Sequence, residues 1–223
     1  MKNAYATVRR AVYDCPFALK AVSDKKLLKV AESYLPYSTG IEIETPFKDN
    51  QIKKTPEFKE DFRRLLSMPG IYSSEKTLLT EHYENKVRLN SGVNGMLALY
   101  ELCEYMKKYF IFNTSSGIHF HIDCSEIKNF TSFVNYTIGQ RWILDSLDSW
   151  KYEGKYNCRA ISSMKGNWVT IRQDFKTIEF RICDMSFDYD YLIKRIIHCQ
   201  NIVKKVKKDF LASEETKAGR KLP

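Results

Sequence analysis

Three short segments of this 223-residue chain alternate strictly between apolar and ionisable residues, and that alternation limits the fold more than any other feature. They are Thr39-Gly-Ile-Glu-Ile-Glu-Thr45, Ser116-Gly-Ile-His-Phe-His-Ile-Asp123 and Thr177-Ile-Glu-Phe-Arg-Ile-Cys183. Side chains two apart on a strand point the same way. The first segment therefore places Glu42 and Glu44 on one face, with Ile41 and Ile43 on the other. The second places His119, His121 and Asp123 opposite Ile118, Phe120 and Ile122. The third places Glu179 and Arg181 opposite Ile178, Phe180 and Ile182. A helical period would scatter these sets. A sheet keeps each together, with one dry face for helices and one charged face.

The rest of the chain supplies those helices. Residues 1–35 read as a helical segment with a stripe at Leu27, Leu28, Val30 and Ala31, ended by Pro36. A short helix is expected after Thr55-Pro56, as N-cap and first helical position, and Pro69-Gly70 stops it. Weak strands fall near Thr77–Thr80 and Lys86–Asn90. From Asn94, the positions Met96, Leu99, Tyr100, Cys103, Met106 and Phe110 step at helical spacing. One helix is expected across 126–149. Trp168–Arg172 and Thr177–Cys183 form a hairpin around Gln173-Asp-Phe-Lys176. That loop sets Arg172 opposite Thr177, Thr170 opposite Glu179 and Trp168 opposite Arg181. Arg172, Thr170 and Trp168 then line the charged face. Leu192, Ile196, Cys199, Val203, Val206 and Phe210 mark a final helix. The expected class is α+β with a largely antiparallel sheet. The division is a helical segment 1–35, a catalytic domain 36–210 and a basic, flexible tail 211–223.

Composition narrows the functional classes. No apolar run is long enough to span a bilayer, and residues 1–14 have no apolar signal core, so no membrane role and a cytoplasmic location are expected. The six cysteines form no CxxC pair, which points to reduced thiols rather than a zinc ribbon. The net charge of +9 suits an anionic partner. The lysines of the tail read better as a solvated face than as a nucleic-acid surface, so nucleic acid is a possible but not a favoured partner.

The charged face carries the chemistry. Carboxylates and imidazoles without thiolates admit Mg²⁺, Mn²⁺ or Zn²⁺. Arg181 beside a metal-binding Glu179 calls for an anionic ligand, and phosphate best fits a guanidinium fork. A metal and an arginine around one anion are the apparatus of phosphoryl transfer.

The set Gly40-Ile-Glu42-Ile-Glu44, Gly117-Ile-His119-Phe-His121-Ile-Asp123 and Thr177-Ile-Glu179-Phe-Arg181 resembles the amidoligase family, a carboxylate–amine ligase branch of the glutamine synthetase superfamily. The resemblance covers roughly residues 36–210. It implies a glutamine synthetase catalytic-domain-like fold, in which a curved sheet holds ATP and divalent ions on its concave face and helices pack on the convex face. It implies that Glu42, Glu44, His119 and Glu179 ligate Mg²⁺ or Mn²⁺. His121 would serve metal or nucleotide, and Arg181 would hold the transferred phosphate. Ser115, Ser116 and Gly117 would touch substrate, and Arg159 and Arg172 would be further anion contacts. The implied reaction phosphorylates a carboxylate with ATP, and an amine then displaces phosphate to form a peptide or isopeptide amide.

One departure stands out. Where the family carries a metal-binding Glu, this chain has Val87-Arg88-Leu89-Asn90-Ser91, with Glu81 and Glu84 as the nearby carboxylates. Arg88 could bind a substrate carboxylate instead. Two other readings compete. His119-x-His121 with Glu126 matches half of a cupin signature, but the later glycines and third histidine are missing. A catalytically weakened ligase fold could also act as a binding protein, contacting nucleic acid or an acidic partner through its basic surface.

Overall fold

The computed structural model describes residues 33–49, 51–71, 84–111, 116–148, 158–163 and 167–219. Residues 1–32 of the helical segment expected over 1–35, and the strand expected near 77–80, lie outside these residues. The alternating segments form β1 (Thr39–Glu44), β3 (Gly117–Asp123) and β6 (Thr177–Asp184). Three more strands, β2 (Glu84–Leu89), β4 (Cys158–Ser162) and β5 (Asn167–Arg172), complete one six-stranded sheet in the order β2-β1-β3-β6-β5-β4. Only β4 and β5 run parallel; every other neighbouring pair is antiparallel. The sheet is therefore mixed, and the parallel edge strand β4 is an addition to the expected pattern.

The helices are α1 (Pro56–Leu66), α2 (Gly92–Tyr109), α3 (Phe130–Ile138), α4 (Trp142–Leu147) and α5 (Tyr189–Gly219). Thr55 caps α1 as its sequence predicts, its hydroxyl accepting from the Phe58 amide at 3.2 Å. The single helix expected over 126–149 is two, α3 and α4. Gly139 ends the first and Gln140 starts the turn into the second, so a change of direction replaces a continuous stripe. The final helix continues to Gly219, so residues 211–219 are helical rather than a flexible tail. Ion pairs Lys205–Asp209 and Lys217–Glu214, four and three residues apart respectively, support its exposed face.

The apolar sheet face is dry. Ile41, Ile43, Ile118, Phe120, Ile122, Val169, Ile171, Ile178 and Phe180 are all buried. They share one core with the α2 stripe of Met96, Leu99, Cys103 and Met106 and the α5 stripe of Leu192, Ile196, Cys199, Val203, Val206 and Phe210. Cys103, Cys124 and Cys199 are buried, and burial pushes the first two thiols up to about 12.

Two polar residues of α5 fasten the ends of the strands. Gln200 accepts from the Tyr37 amide (3.1 Å) and donates to Tyr37 O (2.7 Å) and Thr39 Oγ1 (2.8 Å). Lys207 Nζ donates to Asp123 O and to Glu126 Oε1, both at 2.6 Å, and lies over the Tyr37 ring. One helix thus sets where β1 begins and where β3 ends.

The α1–α2 contact rests on Asp61, whose carboxylate accepts from Lys108 Nζ (2.7 Å) and Tyr109 Oη (2.6 Å). The Lys108 and Tyr109 hydrogen bonds hold its carboxyl below the usual carboxylate range, against the smaller opposing effect of burial. A depressed carboxyl stabilises the fold above its ordinary titration range and loses that contribution as pH falls through the folded-state value. Asp61→Asn is therefore expected to lower stability in urea denaturation at neutral pH. The gap from wild type should narrow as pH falls below the usual carboxylate range and Asp61 itself takes up its proton. An undiminished gap at acid pH would show that charge is not what Asp61 contributes.

Candidate metal centre

The pairing register brings the charged residues of separate strands side by side. Glu42 faces His119 on β3 and Lys86 on β2, while His121 faces Glu179 on β6 and Gly40 on β1. The hairpin register gives Thr170 opposite Glu179 and Arg172 opposite Thr177, as its loop length predicts. Between Ile118 and Phe120 the β3–β6 ladder shifts by one residue, so Arg181 sits at a bulge beside His119.

Glu179 is fully buried at the centre. Its Oε1 is contacted by the Arg181 guanidinium and lies 3.6 Å from His119 Nδ1 and 3.8 Å from His121 Nε2. Its Oε2 lies 3.5 Å from Arg172 Nη1. Glu42 is the second hub. Its Oε1 lies 3.0 Å from Lys86 Nζ and 3.2 Å from His121 Nε2, and its Oε2 lies 3.4 Å from His119 Nδ1. Burial works to raise the Glu42 carboxyl. Bonds from His119, His121 and Lys86 outweigh it and hold the group well below the carboxylate range. Glu44 stands further out, 3.7 Å from His119 Nε2 and partly exposed.

One atom each from Glu42, His121 and Glu179 can be chosen so that all three lie within 4.8 Å of one another. Two buried atoms of this trio, His121 Nε2 and Glu179 Oε2, approach Glu42 Oε1 and Arg172 Nη1 at 3.2 and 3.5 Å without well-aligned hydrogen-bond geometry among the described residues. Oxygen and imidazole donors turned to a common point, with hydrogen-bonding capacity left over, fit a divalent cation of the Mg²⁺ or Mn²⁺ kind. The trio draws on His121, where the sequence set His119 among the metal ligands. His119 lies between the two carboxylates, and Glu44 is at the margin.

Three cations, Lys86, Arg172 and Arg181, stand against the carboxylates of Glu42, Glu44 and Glu179, with the exposed Asp174 sharing Arg172 from the rim. The protein thus balances the site with its own side chains. A bound dication would leave surplus positive charge and create a demand for an anion.

The remaining candidate residues are spread along the sheet. Ser116 and Gly117 start β3 beside Glu44, and Ser116 Oγ lies 3.0 Å from Thr45 Oγ1. Arg88 lies at the other end of the face, opposite Gly40, where it donates to Ser38 Oγ (3.0 Å) and approaches Asp123 Oδ2 (3.5 Å). One small substrate group cannot touch both ends of a strand about 20 Å long. Arg172 is shared between Glu179 and Asp174 and stacks over the exposed Phe175 ring. Trp168 is half-buried against the hydrophobic core. Ser115 lies outside the described residues.

Arg159 is a correction. It does not reach the charged cluster, because Asp145 and Asp148 at α4 take its guanidinium at 2.8 and 2.7 Å. Its strand, β4, is the far edge of the sheet. The residue that sequence reasoning missed is Lys86. Its signal was present, since Lys86 and Arg88 alternate with Val87 and Leu89. The pairing of β2 to Glu42 was not readable.

Gly40 gives the face its depth. An added Cβ there would stand 3.1 Å from His121 Cβ, tighter than ordinary contact. Gly40 lies in the floor of a cavity of about 420 Å³ that Ser38, Glu42, Lys86, Arg88, Asp123 and Phe175 also border.

Comparisons with family models, with curated proteins and with solved structures returned no match.

Glu179 has no solvent to fall back on, so removing its charge leaves Arg181 and Arg172 facing a neutral amide. Glu179→Gln is expected to destabilise the EDTA-treated protein by about 3 kcal/mol in urea denaturation, the cost of breaking a buried ion pair. A gain in stability would mean that repulsion between Glu42 and Glu179 dominates the site.

Proposed function

We propose that this chain is an ATP- and Mg²⁺-dependent carboxylate–amine ligase, built like the amidoligases that its three strand motifs resemble. The observation that carries this reading is the double role of Glu179. One carboxylate belongs both to a candidate cation trio with Glu42 and His121 and to an ion-pair cluster with Arg181 and Arg172. A cation ligand joined to a guanidinium fork suits a polyphosphate.

In this reading Glu42, His121 and Glu179 hold Mg²⁺ or Mn²⁺, with His119 and Glu44 beside them. The ion supplies Lewis-acid charge neutralisation at phosphate oxygens. Arg181, buried next to Glu179, presents the guanidinium that holds the transferred phosphoryl group. Arg172, at the hairpin, binds the anion's outer oxygens. His121 is oriented by Thr177, whose hydroxyl lies 3.3 Å from its Nδ1, leaving Nε2 for the centre. ATP is a substrate here. Its γ-phosphoryl group passes to a carboxylate, ADP leaves, and an amine then displaces phosphate and gives up a proton. The charge argument supports the order of assembly, because a dication added to a balanced cluster calls in an anion.

A second reading has its own observation. Arg88 stands on β2 where the family carries a metal carboxylate, with Lys86 two residues before it on the same strand, which favours a weakened ligase fold kept as a binding module for nucleic acid or an acidic partner.

The separating experiment is calorimetric titration of a nonhydrolysable ATP analogue with Mn²⁺ present. Arg181→Ala is expected to remain folded by circular dichroism and to weaken analogue binding by about tenfold or more. It should also abolish hydroxylamine-trapped acyl phosphate in assays over a panel of carboxylic acids. Unchanged analogue binding by Arg181→Ala would remove the role assigned to that residue. Salt-sensitive RNA or DNA binding that survives Glu179→Ala, without nucleotide binding by wild type, would establish the binding module.

A further inference from the structure

The Glu42 oxygen nearest the candidate cation site is already shared with a cation. Its Oε1 lies 3.2 Å from His121 Nε2 and 3.0 Å from Lys86 Nζ. A divalent ion between Glu42 and His121 would therefore meet an ammonium at close range. Like charges at such separations repel strongly wherever water is scarce. Glu42 is buried and cannot move out to relieve this, whereas the Lys86 side chain is 47 % exposed and can. The space open to it is the cavity over Gly40, which Lys86 already borders.

A second cation waits there under the same arrangement. Arg88 donates to Ser38 Oγ, Ser38 Oγ donates to Asp123 Oδ2, and the Arg88 guanidinium approaches that same carboxylate oxygen. Lys86 and Arg88 thus both rest against carboxylates of the protein itself, Glu42 and Asp123. Building on the metal site proposed above, we infer that Lys86 is a resident stand-in for part of the cation charge. Binding of a divalent ion displaces it into the Gly40 cavity, which becomes a carboxylate-binding subsite with Arg88 only in the metal-loaded protein.

The ligand class follows from the walls. Once a divalent ion takes Glu42 and releases Lys86, Lys86 and Arg88 stand against Asp123 alone, a single surplus positive charge that a monoanionic carboxylate matches and a phosphate dianion would exceed. Arg88 and Ser38 already hold a carboxylate, that of Asp123, so the donor arrangement suits that group. Phe175, at the cavity border, offers an exposed apolar edge for the carbon chain that carries it. Metal and carboxylate would then bind with positive coupling, each raising the affinity of the other by the same factor.

The test uses the full chain with Mn²⁺ and glutarate as probes. Lys86→Met is expected to bind Mn²⁺ about fivefold more tightly than wild type, because the competing ammonium is gone. Lys86→Arg, which keeps a charge there, should return close to the wild-type affinity. Glutarate should bind wild type more tightly in Mn²⁺ than in EDTA, and Arg88→Met should lose most of that binding while still binding Mn²⁺. Equal or weaker Mn²⁺ affinity in Lys86→Met would overturn the displacement while leaving the metal site standing. Failure of wild type and Lys86→Met alike to bind Mn²⁺ would instead overturn the metal site on which it rests. Glutarate affinity indifferent to Mn²⁺, or phosphate bound where glutarate is not, would overturn the subsite.

Discussion

A fully buried glutamate governs this molecule. Glu179 sits on β6, between β3 and β5, with no exposed surface, and an ionised carboxyl there is tolerable only with several partners. Arg181 and Arg172 supply charge, and His119 and His121 supply imidazole edges. Each of those side chains needs its strand at one register. A slip of one residue in β3 or β5 would exchange the charged and apolar faces. The ion cluster and the dry core therefore specify the same register from opposite sides of the sheet.

The helices contribute position as well as burial. The last helix buries an apolar stripe against the sheet, as its spacing requires. It also carries Gln200 and Lys207 inward, where they bond to Tyr37, Thr39, Asp123 and Glu126. Buried amide and ammonium groups at such points are expensive unless satisfied, so they favour one docking of helix on sheet. The strand ends that border the Gly40 cavity, at Ser38 and Asp123, are those this helix holds.

Charge balance links the site to its reading. The carboxylates of the described cluster already have Lys86, Arg172 and Arg181 beside them before any ligand arrives. Addition of a dication makes the same cluster anion-seeking. Phosphate handling and carboxylate capture are two uses of that imbalance, one centred on Arg181 and the other on Lys86 and Arg88.

The sequence alone determined the three alternating strands, their charged and apolar faces, the hairpin register of Arg172 with Thr177 and Thr170 with Glu179, and the stripes of α2 and α5. These follow from periodicity and loop length, which are local. The tertiary structure decided which strands become neighbours, because pairing between distant segments leaves no local trace. It placed Lys86 against Glu42 and gave His121 a place in the cation trio. It gave Arg159 to the carboxylates at α4 instead of the site, and added β4 as a parallel edge strand. Gly139 and Gln140 divided one expected helix, and α5 extended to Gly219. Periodicity fixes the direction in which a side chain points, whereas what it meets there depends on chain that folds back from far away.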